Sequence, residues 1–208
     1  MPPFQACCAH DHDCEEEDCG GHWSLFKYIR VISCLNERNP GSCQNVCRSW
    51  DSRLDVIPCP LESEDDDPEL LVHVEFTGSV KLKALTVIGL GEDGSAPSAL
   101  RVFTNRDDLD FSTVETMEPV QQWDLLENQH GLIEYPVKTA KFNGVHSIDL
   151  HFPSTFGGQD CPMSISYIGF KGEYEERRRE AVNAVYESRP IPKDHQVPGM
   201  EQNMHDIM

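Results

Sequence analysis

The stretch Val145-His146-Ser147-Ile148-Asp149-Leu150-His151-Phe152 decides the fold class. Val145, Ser147, Asp149 and His151 fall on one side of a two-residue period. His146, Ile148, Leu150 and Phe152 fall on the other, which is the alternation of a strand. Comparable runs surround it. Residues 70–76 read Leu-Leu-Val-His-Val-Glu-Phe and close at Thr77-Gly78. Residues 80–90 alternate Val80 and Leu82, then pack Leu85, Val87, Ile88 and Leu90. After a turn at Gly91-Glu92-Asp93-Gly94, Leu100, Val102 and Thr104 recur on alternate positions. Residues 122–126, 132–135 and 164–170 complete the set. Many short strands punctuated by Gly, Pro and Asn predict an all-β, antiparallel sandwich or jelly roll. No helical pattern long enough for a crossover lies between them, which argues against a parallel sheet. Helix is expected only in short turns.

Away from these strands the pattern weakens. In residues 24–36, Leu25, Ile29, Ile32 and Leu35 recur at helical spacing, while β-branched residues within 28–32 suit a strand equally. Pro40-Gly41 marks a turn, a cysteine-bearing connector runs to Pro60, and residues 61–68 form an acidic loop. Residues 1–23 offer no apolar periodicity, and residues 196–208 are similar, so both ends are expected to be short disordered tails. The expected organisation is a tail over 1–23, one domain over 24–195 and a flexible tail over 196–208.

The charge balance narrows the function. Among 208 residues, 17 are Lys or Arg and 36 are Asp or Glu, for a net charge of −19. Binding nucleic acid or an anionic membrane needs clustered cations that release counterions, so neither partner is expected. A basic patch on a protein suits this chain instead. The acidic Glu64, Asp65, Asp66 and Asp67 and the C-terminal His205 are the candidate partner-binding residues. The apolar runs are too short to span a bilayer. The first eight residues show neither a basic start nor an apolar run, so a reducing setting is expected, in the cytoplasm and nucleus. Nine cysteines, an odd number, then read as free thiols. A monomer is expected.

Chemical motifs are sparse. A thioredoxin-like site needs two cysteines separated by two residues, but three separate Cys43 from Cys47 and four separate Cys14 from Cys19. There is no Gly-x-Ser-x-Gly. Gly89, Gly91 and Gly94 spell a dinucleotide pattern, yet Ser95-Ala96-Pro97 follows rather than a helix, and a turn between strands explains it better. His151 and Asp149 share a strand face that His146 does not, and surface or packed histidines account for them. Arg177, Arg178 and Arg179, with Lys171 nearby, are nearly neutralised by Glu173, Glu175, Glu176 and Glu180. No catalytic residue and no cofactor is expected, and the chain reads as a non-enzyme. Cys7, Cys8, His10, His12, Cys14, Cys19 and His22 supply ligands suited to zinc or copper(I). Their spacing fits no structural zinc module, and a plain acidic tail accounts for them as well.

Linked motifs resemble the PITH domain family. They are Leu35-Asn36-Glu37; Phe76-Thr77-Gly78-Ser79-Val80-Lys81-Leu82-Lys83-Ala84-Leu85; Pro97-Ser98 with residues 100–105; and Tyr167-Ile168-Gly169-Phe170-Lys171-Gly172-Glu173 with Arg177-Arg178 and Tyr186-Glu187. The resemblance spans residues 24–195; Arg30 departs from it, standing where an acidic residue is expected. The resemblance implies a jelly-roll β-sandwich of the galactose-binding-like type and a non-enzymatic module associated with the 26S proteasome. Related sandwiches bind sugars, so a carbohydrate-binding module is the alternative, and weak metal binding through the N-terminal cluster is another. Trp23, Trp50 and Trp123 are spread along the chain without the clustering a sugar platform uses.

Overall fold

One strand, β3 (Leu70–Gly89), runs through both layers of the molecule. The computed structural model describes residues 24–90, 94–158 and 161–175. The chain divides into two units, 1–177 and 178–208, and every described residue belongs to the first. The first part of β3 pairs with β1 (Ile29–Leu35) on one side and β7 (Val145–Phe152) on the other. That layer continues through β4 (Ala99–Thr104) to β5 (Gln121–Asp124). The second part pairs with β6 (Tyr135–Pro136) and with β8 (Ser164–Glu175), which carries the two-residue β2 (Leu61–Glu62). Every pairing is antiparallel, and the result is a jelly-roll β-sandwich. Among the described residues helix is limited to α1 (Phe111–Thr116) and the 3-10 turns Phe26–Tyr28 and Ser42–Asn45, as the sequence predicts.

The strand end expected at Thr77-Gly78 is absent, because β3 continues and changes partners there. Its register shifts between Glu75 and Val80, and from Ser79 onward it pairs with β8. Gly78 serves close packing: a Cβ at this position would lie 2.8 Å from the Tyr174 hydroxyl. The Tyr174 ring in turn stacks on Tyr28 with centroids 3.8 Å apart. Other boundaries differ as well. The 132–135 candidate shrinks to Tyr135–Pro136, 122–126 becomes Gln121–Asp124, and 164–170 extends to Glu175. The 24–36 ambiguity ends as a 3-10 turn followed by β1.

The alternation in β7 places Ile148, Leu150 and Phe152 in the core. They pack with Leu70, Val72 and Val74 of β3 and with Leu100 and Val102 of β4. Asp149 and His151 therefore face outward, where α1 covers part of the sheet. This helix starts because Asp110 accepts the Thr113 N–H at 2.7 Å, an N-cap. Val114, with Phe111 and Met117 beside it, then packs on Leu71 and Phe103.

Two side chains organise the irregular segments. Arg48 donates to the carbonyls of Asn45 and Ser166 at 3.0 Å, of Arg53 at 3.1 Å and of Ser52 at 3.2 Å, tying the connector to β8. Asn36, at φ 69, donates to the carbonyls of Asp67 at 3.0 Å and Glu69 at 2.7 Å. The end of β1 is thereby fixed to the acidic turn that leads into β3.

Candidate functional site

The outward face of the β1–β3–β7–β4 layer carries side chains in rows, because opposed residues on antiparallel strands share a face. Ser33 opposes His73, His73 opposes Asp149, and Asp149 opposes Phe103. In the next row Leu35 opposes Leu71, Leu71 opposes His151, and His151 opposes Arg101. The loop after β4 passes over one end of these rows. Together they enclose a cavity of about 230 Å³, with Leu35, Leu71 and Leu109 as apolar walls and Ser33, His73, Asp107 and Asp149 as polar lining.

The polar groups differ sharply in their surroundings. His73 Nδ1 lies 2.6 Å from Asp149 Oδ1. The hydrogen bond that Asp149 accepts from the ring is the main influence holding the His73 pKa above its ordinary value. Burial raises the Asp149 pKa, although the His73 hydrogen bond works against it. The Asp149 side chain is 4% exposed, and its Oδ2 is buried without a hydrogen-bond partner. Next to this pair, His151 Nε2 lies 2.5 Å from Glu69 Oε1. Burial lowers the His151 pKa, outweighing the hydrogen bond that Glu69 accepts. A neutral ring donating through Nε2 leaves its buried Nδ1 as a bare lone pair, which costs less than an orphaned donor.

The acidic turn near the cavity is held by several contacts. Asp65 pairs with Arg38, and Asp67 Oδ1 accepts the Glu69 N–H at 3.0 Å. Glu64 and Asp66 are exposed. Of the partner residues expected from sequence, this turn is tied to Asn36, which follows the lining residue Leu35, while His205 lies outside the described residues. Cys7, Cys8, His10, His12, Cys14, Cys19 and His22 also lie outside them, as do Arg177, Arg178 and Arg179. Among the described residues no group of three His, Cys, Asp or Glu is placed to hold a metal ion. No helix there is long and apolar enough to cross a membrane.

The remaining candidates have local roles. Cys34, Cys43, Cys47 and Cys59 are free thiols. Burial pushes the Cys43 and Cys47 thiols up to about 12, far from a reactive thiolate. In the dinucleotide-like stretch, a Cβ on Gly89 would lie 2.5 Å from the Ala96 Cβ, so this glycine serves strand-to-loop packing. The backbone N–H of His146 donates to Asn105 Oδ1 at 2.7 Å, and its ring Nδ1 lies 3.4 Å from the Gly78 carbonyl. Arg30 pairs with Glu75. Glu37 accepts from Gly41 N–H at 2.6 Å, Cys43 N–H at 3.0 Å and Ser42 Oγ at 3.1 Å. Burial works to raise its pKa, but these donors hold it below the usual range. Trp123 packs against the core, and Arg53 lies over the Trp50 ring at 4.2 Å. Leu54, Val56, Leu126 and Leu132 are exposed on two loops that meet where Arg53 passes Gly131.

The architecture defines a class, the galactose-binding-like β-sandwiches. A solved carbohydrate-binding module, CBM32-3 from a family 31 glycoside hydrolase of Clostridium perfringens, superposes with a TM-score of 0.52 at 13% identity. The match covers 76% of this chain and all of that one (100%). A CBM32-1 and CBM32-2 structure from ZmpB of the same organism gives 0.51 at 12% identity, over 78% of this chain and 41% of that one. Within this class the chain belongs to the PITH domain family, whose model matches residues 15–190. It is 34% identical to PITH domain-containing protein 1 of Dictyostelium discoideum over 201 residues, 96% of each chain. It is 33% identical to the Homo sapiens protein of the same name, over 96% of this chain and 93% of that one.

Proposed function

We propose that this chain is a non-enzymatic docking module that associates with the 26S proteasome, as a monomer in the cytoplasm and nucleus. The observation that carries this reading is a hydrogen-bonded acidic turn close to a cavity of mixed apolar and polar lining. Asn36, Arg38 and the Glu69 N–H fix the 64–67 turn, while Glu64 and Asp66 point to solvent. A fixed acidic turn speeds capture of a basic surface without the entropy cost of ordering a loop. The net charge of −19 acts in the same direction, and the exposed Leu54, Val56, Leu126 and Leu132 add apolar contact area. Resemblance to a family associated with the proteasome supplies the identity of the assembly.

The test is association with purified 26S particles at low and physiological salt, comparing wild type with Glu64→Gln/Asp66→Asn. Slower association of the double variant, with an unchanged melting temperature, is expected. Wild type that recovers no particles at low salt contradicts the reading, and a glycan array then tests the carbohydrate-module alternative.

A further inference from the structure

We propose that the cavity over His73 and Asp149 is a slot for one lysine side chain of a protein partner; this deepens the docking reading and rests on it. The size sets the first limit. At about 230 Å³ the cavity is smaller than the roughly 300–1,000 Å³ of small-molecule sites and suits a single long side chain. Leu35, which is 46% exposed, stands with Leu71 and Leu109 as an apolar sleeve for the methylenes.

The acceptors select an ammonium over a guanidinium. Asp149 Oδ1 is committed to His73, and only Oδ2 lacks a partner. A guanidinium fork wants both oxygens of one carboxylate, whereas an ammonium is a compact point charge satisfied by separate acceptors. Its three donors have Asp149, the Ser33 hydroxyl and the Asp107 carboxylate to meet among the lining groups. Asp107 and Asp108 add negative potential at Asp149. Oδ2 is covered in this structure, so the ammonium reaches it only with a local shift that uncovers it. Its arrival gives a buried, unpaired carboxylate oxygen the partner it lacks, which favours the bound state.

The experiment uses the full chain and two probes. In the first arm, Nα-acetyl-lysine methylamide, its norleucine analogue and its arginine analogue are titrated into labelled protein by NMR. The lysine probe is expected to shift the His73 ring and the Leu35 and Leu71 methyl resonances, while norleucine leaves them in place. Asp149→Asn is expected to weaken the lysine response about tenfold. Asp107→Asn, on the exposed rim, gives the same direction should the first variant fail to fold. No shift, or equal shifts with norleucine or arginine, overturns the slot. In the second arm, the same variants are measured against purified 26S particles. Full binding by a folded Asp149→Asn overturns the slot and leaves docking standing. A lysine response without proteasome binding removes only the proteasome as partner.

Discussion

His73 Nδ1 and Asp149 Oδ1 lie 2.6 Å apart across the pairing of β3 with β7, 76 residues apart in sequence. One row away, His151 meets Glu69. The two histidines share a face, yet their surroundings push their titrations in opposite directions. At His73 a carboxylate hydrogen bond dominates; at His151 burial dominates.

Stability should therefore show two opposed pH dependences. A folded-state pKa raised above the ordinary 6.5 means His73 stabilises fully below that value and loses its contribution as pH rises through the folded pKa. The lowered His151 pKa means its contribution is present above 6.5 and is lost as pH falls through the folded value. Urea unfolding across pH 5–9 checks this. The deficit of His73→Gln against wild type should shrink with rising pH, and that of His151→Gln should shrink with falling pH.

The acidic turn should separate into two functional halves. Neutralising Glu64 and Asp66 should slow association and leave the melting temperature unchanged. Neutralising Asp65 and Asp67 should lower stability by up to about 1 kcal/mol, since an exposed ion pair and a turn hydrogen bond are lost. Stopped-flow association and thermal melts on both double variants decide it.

Leu82 has no exposed surface and lies in the shared core. Leu82→Ala should cost about 2–5 kcal/mol, from the lost transfer energy plus the cavity left behind. Gly89→Ala should cost about 1–3 kcal/mol by overpacking against Ala96. Denaturant midpoints measure both.

Cys43 and Cys47 should resist iodoacetamide in the native state at pH 7.5 and react after denaturation. Burial keeps both thiols protonated, with pKa values pushed up to about 12. Peptide mass spectrometry with and without denaturant reads this directly.

How much of this was legible in the sequence depends on the range of the interaction involved. The bounds of β7 and its alternation from Ser147 to Phe152 could be read, because that alternation is local information. Val145, read on the outer side, instead joins the core beside a register shift. Antiparallel architecture followed from the number and spacing of such runs. The continuity of β3 was hidden, because Thr77-Gly78 looks like a turn and the Tyr174 ring that packs on Gly78 arrives from β8. α1 was missed because six residues carry little periodicity, although Asp110 with Thr113 three positions on was a readable cap. The cavity was least visible. Parity put Asp149 and His151 on one face, but only strand register brings Ser33 and His73 alongside Asp149. Likewise, Leu35-Asn36-Glu37 was recognisable as a motif, while its work emerged only in three dimensions: Asn36 clasps the acidic turn and Glu37 caps the Ser42–Asn45 turn.

The central claim is charge-guided docking to the proteasome, and co-sedimentation of the purified 23.5 kDa chain with purified 26S particles tests it most directly. The chain should travel with the particle at low salt. Its bound fraction should fall as ionic strength rises toward physiological values, where screening shortens the reach of surface charge to about 8 Å. A chain that stays at the top of the gradient at every salt concentration contradicts the claim.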